Sequence, residues 1–327
     1  MNEIFILGSG FSKAINENMP LTNNLKKDIE TEIKSTNTYV NWEIYNSLIE
    51  NKNINDFEEV ISLLFQNFPW KSEEEQSYFY SIFLTFSKFL AIIIKEKQES
   101  YNYKTNPFLK KFIDYLKKNQ SIIITFNYDT ILETAASPTL GPIMSPNEYY
   151  KMPITKLVDR IASGATAKYS EDIFRLLKLH GSINWYHSGQ RLNQPLQVYL
   201  EIGYPWEEDE KIAKKDLYPL IIPPVFDKTG FMNLNFINVI WRDAKEYLCN
   251  ANRIYIIGYS IPDADLNIKL MLKTCVKKDA EIFLVNTDKS IIPRVKNIFK
   301  NSEIKINIEF VSKDKDIVNK FIEFKCV

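Results

Sequence analysis

An amide, a carboxylate and an imidazole stand where this sequence leaves two apolar segments. Asn127 and Asp129 follow the apolar segment 121–126, and His180 follows a second apolar segment at 176–179. An imidazole titrates near neutral pH and is a natural general base, whereas an uncharged amide can hold a water molecule or a sugar hydroxyl. We therefore predict Asn127 and His180 as catalytic residues, with Asp129 orienting the amide or capping the helix that follows.

Each of these residues also has a structural interpretation, and the sequence leaves both interpretations open. Asn-Tyr-Asp is an ordinary turn and helix-capping sequence, and a lone histidine after a strand often belongs to the core. For Asp129 we favour the supporting role over direct participation in the chemistry. The other histidine, His187, stands in a Tyr-His-Ser-Gly segment that we expect to be a surface loop.

A short glycine-containing segment follows the apolar residues 3–7. It is a truncated form of the dinucleotide-binding fingerprint GxGxxG, because Lys13 occupies the position of the last glycine. Backbone N–H groups and serine hydroxyls here could hold a pyrophosphate at a helix N-terminus. A tight turn between a strand and a helix explains the glycines equally well. The predicted cofactor-binding residues in this segment are Gly8, Ser9, Gly10, Phe11 and Ser12.

The elements that would position these residues alternate between strands and helices. Apolar runs such as IIIT and IYIIG are typical of strands buried on both faces, and segments with helical periodicity lie between them. The predicted fold class is therefore α/β, a Rossmann-like doubly wound parallel sheet with helical insertions. The predicted strands of this sheet are 3–7, 121–126, 176–179, 253–257, 281–285 and 304–310.

Ligands of an open parallel sheet bind beyond the carboxyl ends of its strands. The residues that follow the later strands therefore join the predicted cofactor-binding set, which is completed by Asp129, Gly258, Ser260 and Asn286. Asp263 and Asp265 stand in a Pro-Asp-Ala-Asp segment, and we expect them to begin the helix predicted over 263–277.

The domain prediction follows from the lack of a recognisable linker. We predict one domain over residues 1–327, with a helical insertion at about 40–118 and a second excursion at about 188–250. The segment Tyr78–Ile94 is strongly apolar, but it is short for a membrane span and contains Lys88. We expect a buried helix there, and no membrane partner.

Composition narrows the class of partner and the compartment. The 327 residues include 41 basic and 41 acidic side chains, so the zero net charge gives no electrostatic reason to expect direct binding of nucleic acid. The 3 cysteines form no CxxC pair and assemble no zinc ribbon. Sparse cysteines and an N-terminus without a signal-peptide plan favour a cytoplasmic protein.

Several of these motifs, in this order, resemble those of the sirtuin family. Residues 8–22 are similar to its opening glycine-rich loop, and TFNYD (125–129) resembles its Thr-Gln-Asn-x-Asp motif with Phe126 in place of Gln. LHGS (179–182) resembles the catalytic His-Gly, and IIGYSIPDAD (256–265) stands in the place of the Gly-Thr-Ser cofactor loop. VNTD (285–288) resembles the segment that meets the adenosine ribose.

The resemblance implies NAD as substrate, with the pyrophosphate on the segment 8–12, the nicotinamide ribose at Asn127 and His180, and the adenosine side at Ser260 and Asn286. The four-cysteine zinc module of sirtuin deacylases is absent, so no metal is implied. Without this module, the chain resembles the divergent bacterial branch of the family, whose members hydrolyse NAD to nicotinamide and ADP-ribose in antiphage defence. That branch implies a homo-oligomer and a separate regulatory protein, such as a DNA-translocase-type ATPase.

Two other functions remain open on the sequence. One is an NAD-dependent protein deacylase, which the absent zinc module disfavours. The other is a non-catalytic subunit that binds NAD or ADP-ribose and regulates a partner, which the presence of both Asn127 and His180 disfavours.

Overall fold

A computed structural model describes residues 2–36, 45–46, 57–136, 147–151, 154–156, 174–189, 197–201, 207–222, 235–263, 265–300 and 302–326. The described strands are β1 (Glu3–Leu7), β2 (Ile122–Thr125), β3 (Thr155–Lys156), β4 (Arg175–Lys178), β5 (Gly181–His187), β6 (Tyr199–Leu200), β7 (Tyr218–Ile221), β8 (Arg253–Ile257), β9 (Glu281–Asn286) and β10 (Lys305–Val311). The described α-helices are α1 (Ser9–Ile15), α2 (Thr22–Ser35), α3 (Phe57–Phe65), α4 (Glu73–Glu99), α5 (Pro107–Lys118), α6 (Ile131–Ala136), α7 (Asn147–Tyr150), α8 (Glu207–Ala213), α9 (Asn235–Asn250), α10 (Leu266–Cys275), α11 (Ile291–Ile298) and α12 (Ile317–Lys325).

Six of these strands form the central sheet, in the order β10-β9-β8-β1-β2-β4. Every neighbouring pair is parallel. If the strands are counted only within this sheet, the order corresponds to the 3-2-1-4-5-6 arrangement of the Rossmann fold. The predicted α/β, Rossmann-like doubly wound sheet is therefore confirmed.

The helices pack in two sets that enclose this sheet. α12 contacts both α1 and α5, while α10 contacts both α9 and α11. On the α5 and α12 side, Phe5, Tyr255 and Phe283 stack across adjacent strands, with ring centroids 4.9 and 4.8 Å apart. Phe112 of α5 meets Phe5 edge-on, and Phe321 of α12 packs on Tyr255. Five aromatic rings therefore pack together on this side of the sheet.

A second sheet departs from the sequence-based expectation. It has 4 strands in the order β3-β6-β5-β7, and β5 is antiparallel to β6 and β7. β5 occupies residues after His180 for which we predicted no strand, and its last two residues belong to the segment 186–189 that we expect from the sequence to be a surface loop. The strand is buried along almost its whole length, and α4 contacts both β5 and β7. A strand enclosed on both faces shows no alternation of apolar and polar residues, which is why the pattern was not recognised.

The expected position of His187 was wrong. The residue ends β5, pairs with Tyr218 of β7, and is 3% exposed. Its Nδ1 atom accepts a hydrogen bond of 3.1 Å from the backbone N–H of Gly189. Burial lowers the pKa of His187 from 6.5 to about 4, so the ring is neutral in the folded protein at neutral pH.

Within the predicted insertion at about 40–118, the structure describes α3, α4 and α5 with short connections between them, and residues 37–44 and 47–56 lie outside the described part. α4 begins with a reciprocal capping box between Ser72 and Glu75, and it contacts α2, α3 and β7. By length and apolar composition α4 alone, among the described helices, would suffice to cross a membrane, but 61% of its most apolar window is buried within the protein. Core helices share these properties.

The predicted excursion at about 188–250 contains β6, β7, α8 and α9. Residues 190–196, 202–206 and 223–234 of this segment lie outside the described part of the chain. The count of one domain over 1–327 stays a prediction.

Candidate active site

A cleft opens at the carboxyl ends of β1, β2 and β8, beside the turn between β4 and β5. Its empty volume, with the open mouth included, is about 800 Å³. The structure brings seven of the predicted site residues to its wall, namely Gly8, Ser9, Ser12, Asn127, Asp129, His180 and Ser260. Met19, Tyr128, Tyr259 and Asp265, which were not predicted as site residues, also line it.

Two turns meet at one end of the cleft, and glycines allow their close approach. A Cβ atom on Gly8 would lie 2.6 Å from Cα of Tyr259, and one on Gly258 would lie 2.1 Å from the backbone nitrogen of Phe11. Gly258 also has a φ of +60°, which favours glycine. The structural explanation of these glycines therefore holds, whether or not a phosphate binds here. Gly10 and Phe11 lie behind the turn, where the Phe11 ring is 1% exposed.

Asn127 is held by two hydrogen bonds from its own amide group. Its Nδ2 atom donates to the backbone oxygen of Gly8 at 2.9 Å and to Oγ of Ser12 at 2.8 Å. Both amide protons are thereby used. The side-chain oxygen, Oδ1, can only accept, so Asn127 offers a ligand in the cleft an acceptor in a fixed position.

Asp129 completes this network from behind. Its Oδ2 atom accepts a hydrogen bond of 2.6 Å from Ser12 Oγ, and its Oδ1 atom accepts one of 3.2 Å from the backbone N–H of Ile131, at the start of α6. The pKa of the Asp129 carboxyl is raised overall, because desolvation outweighs the nearby Lys178 ammonium and the Ser12 hydrogen bond, which both lower it. Asp129 thus fixes Ser12, which fixes Asn127, and it also caps the helix.

Lys178 closes the floor beneath this network. The side chain is 1% exposed, and its ammonium lies 3.2 Å from Oε1 of Glu133. It also donates to the backbone oxygen of Asp129. The hydroxyl of Tyr150 donates to the same Glu133 oxygen at 2.7 Å. A buried charge pair that is hydrogen-bonded on several sides orders the chain that follows β2.

His180 stands at the point where the chain leaves the parallel sheet for the second sheet. The next residue, Gly181, has a φ of +81°, and a Cβ atom there would lie 2.1 Å from the backbone oxygen of Leu220. The reversal therefore requires glycine. The imidazole is 3% exposed, and the ring of Phe126 meets it edge-on with centroids 5.0 Å apart. Its Nε2 atom lies 3.3 Å from Oδ1 of Asp265.

Asp265 is the site residue that sequence reasoning missed. We had expected it only to begin a helix, but its side chain makes no capping hydrogen bond to α10. The carboxylate is 2% exposed, and its Oδ2 atom accepts a hydrogen bond of 2.6 Å from the hydroxyl of Tyr259. Its neighbour Asp263 has a side chain that is 92% exposed and pairs with Lys269. Helical periodicity that starts only at Leu266 is the signal that could have separated the two.

Aromatic rings form the wall behind His180. Phe126 stacks on Tyr259 with centroids 4.3 Å apart and an interplanar angle of 11°. The hydroxyl of Tyr128 donates to the backbone oxygen of Ile222 at 3.0 Å. Phe126, which stands where the sirtuin motif has glutamine, therefore acts as a packing surface for Tyr259 and His180.

The two residues predicted on the adenosine side differ in their exposure to the cleft. Ser260 is exposed at the edge of the cleft, and its backbone oxygen accepts a hydrogen bond of 2.9 Å from Arg294. Asn286 lies behind the turn and does not line the cleft. Its amide donates to the backbone oxygen of Tyr259 at 3.2 Å and accepts from the backbone N–H of Asp288 at 3.0 Å. A ligand contact for either residue stays a prediction.

The described residues offer no cluster of metal ligands. No group of three or more His, Cys, Asp or Glu side chains there is arranged to hold a metal ion. Cys249, Cys275 and Cys326 are free thiols.

Comparison with known proteins identifies the family of this chain. No curated protein matches the chain in sequence. Among solved structures, Sir2Tm bound to a propionylated peptide is similar, with 12% identity, a TM-score of 0.47, and coverage of 98% of this chain and 90% of that chain. A complex of Sir2 with a p53 peptide and NAD⁺ is similar at 13% identity and a TM-score of 0.44, with the same coverage. The family model described as SIR2-like domain matches residues 121–305, more than half of the sequence, and the chain therefore belongs to the SIR2-like family.

Proposed function

We propose that this protein is an NAD glycohydrolase that cleaves NAD to nicotinamide and ADP-ribose. Membership in the SIR2-like family supports an NAD-dependent activity in general. The observation that supports hydrolysis is the pairing, within one cleft, of a fixed amide acceptor at Asn127 with the imidazole of His180. An acceptor and a base on one wall are what the activation of a water molecule requires.

In the proposed complex, the pyrophosphate of NAD lies against the turn that contains Gly8 and Ser9. The adenosine end then extends towards Ser260, and the nicotinamide ribose lies between Asn127 and His180. The bound NAD would cross the point between β1 and β8 where the sheet reverses its strand order, since β2 and β4 extend to one side of β1 and β8 to β10 extend to the other. Ligands of doubly wound sheets bind at such points.

The proposed reaction breaks the bond between C1′ of the ribose and the nicotinamide nitrogen. The electron pair of that bond leaves with nicotinamide, and C1′ passes through an oxocarbenium-like state. A water oxygen then bonds to C1′. Asn127 Oδ1 accepts a hydrogen bond from this water or from a ribose hydroxyl, and His180 takes the water proton. General-base assistance of this kind contributes about 100-fold to 10,000-fold.

Hydrolysis is favoured over peptide deacylation by two features of this chain. With 3 cysteines in all, the chain lacks the ligands for a four-cysteine zinc module. The segment that follows His180 forms part of the second sheet, β3-β6-β5-β7, which packs against α4. We therefore propose that this segment does not bind a peptide substrate.

We further propose a cellular role and setting for this activity. NAD depletion in bacterial antiphage defence would occur in the cytoplasm, in a homo-oligomer controlled by a separate regulatory protein such as a DNA-translocase-type ATPase. The order of the motifs 8–22, 125–129, 179–182, 256–265 and 285–288 supports this role. Nicotinamide release that starts only after infection of cells expressing the chain would support external control.

The decisive experiment measures nicotinamide release from NAD, by the purified chain and in phage-infected cells that express it. The wild type should release nicotinamide without any peptide, and His180→Ala and Asn127→Ala should each lower the rate at least about 100-fold while the melting temperature is retained. Asp263→Asn, at a carboxylate that is 92% exposed and pairs with Lys269, serves as the control and should be unaffected.

Other outcomes would select another function. Release that requires an acetyl-lysine peptide would identify a deacylase. Calorimetric binding of NAD or ADP-ribose without release, in the purified chain and in infected cells alike, would identify a regulatory binding subunit. Full activity in either alanine variant would refute the assignment of Asn127 or His180.

A further inference from the structure

Asp265 is a buried carboxylate, and its position in the chain just before α10 does not explain why it is buried. It precedes α10 but leaves the N-terminal N–H groups of that helix without a side-chain cap. Its side chain turns into the cleft instead, where it is 2% exposed. An unpaired carboxylate in such a position would be strongly destabilising, so its contacts must compensate for the loss of water.

Both oxygens of this carboxylate are engaged. Oδ1 lies 3.3 Å from Nε2 of His180, and Oδ2 accepts a hydrogen bond of 2.6 Å from Tyr259. The Tyr259 ring is itself fixed, because it stacks on Phe126 at 4.3 Å and its backbone oxygen accepts a hydrogen bond from Asn286. The carboxylate is therefore held at one end and presents its other oxygen to the imidazole.

This contact determines which imidazole nitrogen is protonated. A carboxylate only accepts hydrogen bonds, so the nitrogen that faces it must carry the proton. In neutral His180 that nitrogen is Nε2, and the lone pair of the ring then lies on Nδ1. A base that is oriented by a neighbouring carboxylate is a recurring arrangement in enzymes, and loss of the carboxylate can select the wrong tautomer.

We propose that Asp265 is a positioning residue that sets the orientation and the tautomer of His180, with the Tyr259 hydroxyl holding the second carboxylate oxygen. The catalytic consequence rests on the proposed glycohydrolase function, but the pairing itself does not. No contact of Asp265 with the substrate is required, since it acts through the imidazole.

The pairing can be tested without any turnover, because the chain has only 2 histidines. Protein labelled with ¹⁵N-histidine gives long-range ¹H–¹⁵N spectra that distinguish the Nδ1–H from the Nε2–H tautomer. His187→Asn assigns the two sets of signals. Neutral His180 should be the Nε2–H tautomer in the wild type and in Asp263→Asn, and should lose that preference in Asp265→Asn.

Two results would overturn the proposal. One is a wild-type His180 in the Nδ1–H form, which needs no variant and so remains informative if Asp265→Asn does not fold. The other is a folded Asp265→Asn protein in which the tautomer of His180 is unchanged.

Kinetics then test the consequence. Asp265→Asn should lower kcat for nicotinamide release by about 100-fold with little change in the KM for NAD, because the interaction acts in the transition state. Asp263→Asn should match the wild type, and Tyr259→Phe should show a smaller fall in kcat. A Tyr259→Phe rate equal to wild type would remove Tyr259 from the proposal. Lack of release by the wild type would instead refute the proposed function and leave the tautomer result standing.

Discussion

Acidification should destabilise the fold through His187, the buried histidine at the end of β5. Burial lowers its pKa from 6.5 to about 4. The unfolded chain therefore takes up a proton at a higher pH than the folded protein does, and stability is lost as the pH falls from 6.5 towards 4. A difference of 2.5 pKa units corresponds to about 3 kcal/mol, of which about 2 kcal/mol is lost between pH 7.5 and pH 5.

The substitution His187→Asn isolates this contribution. The Asn oxygen can take the place of Nδ1 as acceptor from the Gly189 N–H, but the side chain does not titrate. Urea unfolding at both pH values gives the free energy of unfolding for each protein. The wild type should lose about 2 kcal/mol more than the variant on acidification. Other titrating groups, such as Asp129 with its raised pKa and opposite sign, are common to both proteins and cancel.

An equal loss of stability in the two proteins would refute the reasoning. It would mean that His187 titrates with the same pKa in the folded and unfolded states, as it would if water reached the ring. A smaller loss in the wild type than in the variant would show that the protonated ring gains a partner on folding.

Two further predictions concern the chain around His180. Gly181→Ala should destabilise the protein by about 1–3 kcal/mol, because alanine is strained at a φ of +81° and its Cβ would meet the Leu220 oxygen; an unchanged melting temperature would contradict this. Lys178→Met should destabilise by about 3–5 kcal/mol, because it leaves the Glu133 carboxylate buried beside Tyr150 without its cation. The double variant Lys178→Met/Glu133→Gln should recover much of that loss in thermal unfolding, and no recovery would show that the charge pair is not the cause.

The elements of the central sheet were largely predictable from local pattern. β8 begins and ends at the predicted residues, 253 and 257, and β1 likewise covers the predicted residues 3–7. In α5, Asn106 caps the helix by accepting from Leu109 N–H, and Pro107 occupies the first turn. Such signals act over a few residues, so a sequence shows them directly. Polar residues after parallel strands then had to meet at one edge of the sheet.

The second sheet and Asp265 were not predictable in the same way. β5 lacks the period-two pattern because it is buried on both faces, and it follows His180 with only Gly181, at a φ of +81°, as a turn. Asp265 has the appearance of a helix cap, and its role depends on Tyr259 and His180, which are 6 and 85 residues away in the chain. No local pattern records a contact of that separation.

The sequence by itself determined the alternation of strands and helices, the glycines at two turns, and the presence of Asn127 and His180 after neighbouring strands. Only the tertiary structure decided how those side chains are held: Asn127 by Gly8 and Ser12, and His180 by Asp265. The physical reason is that hydrophobic periodicity reflects burial, which is a property of single segments. Hydrogen-bond direction and tautomer depend on which atoms of distant segments meet, and that is determined by packing.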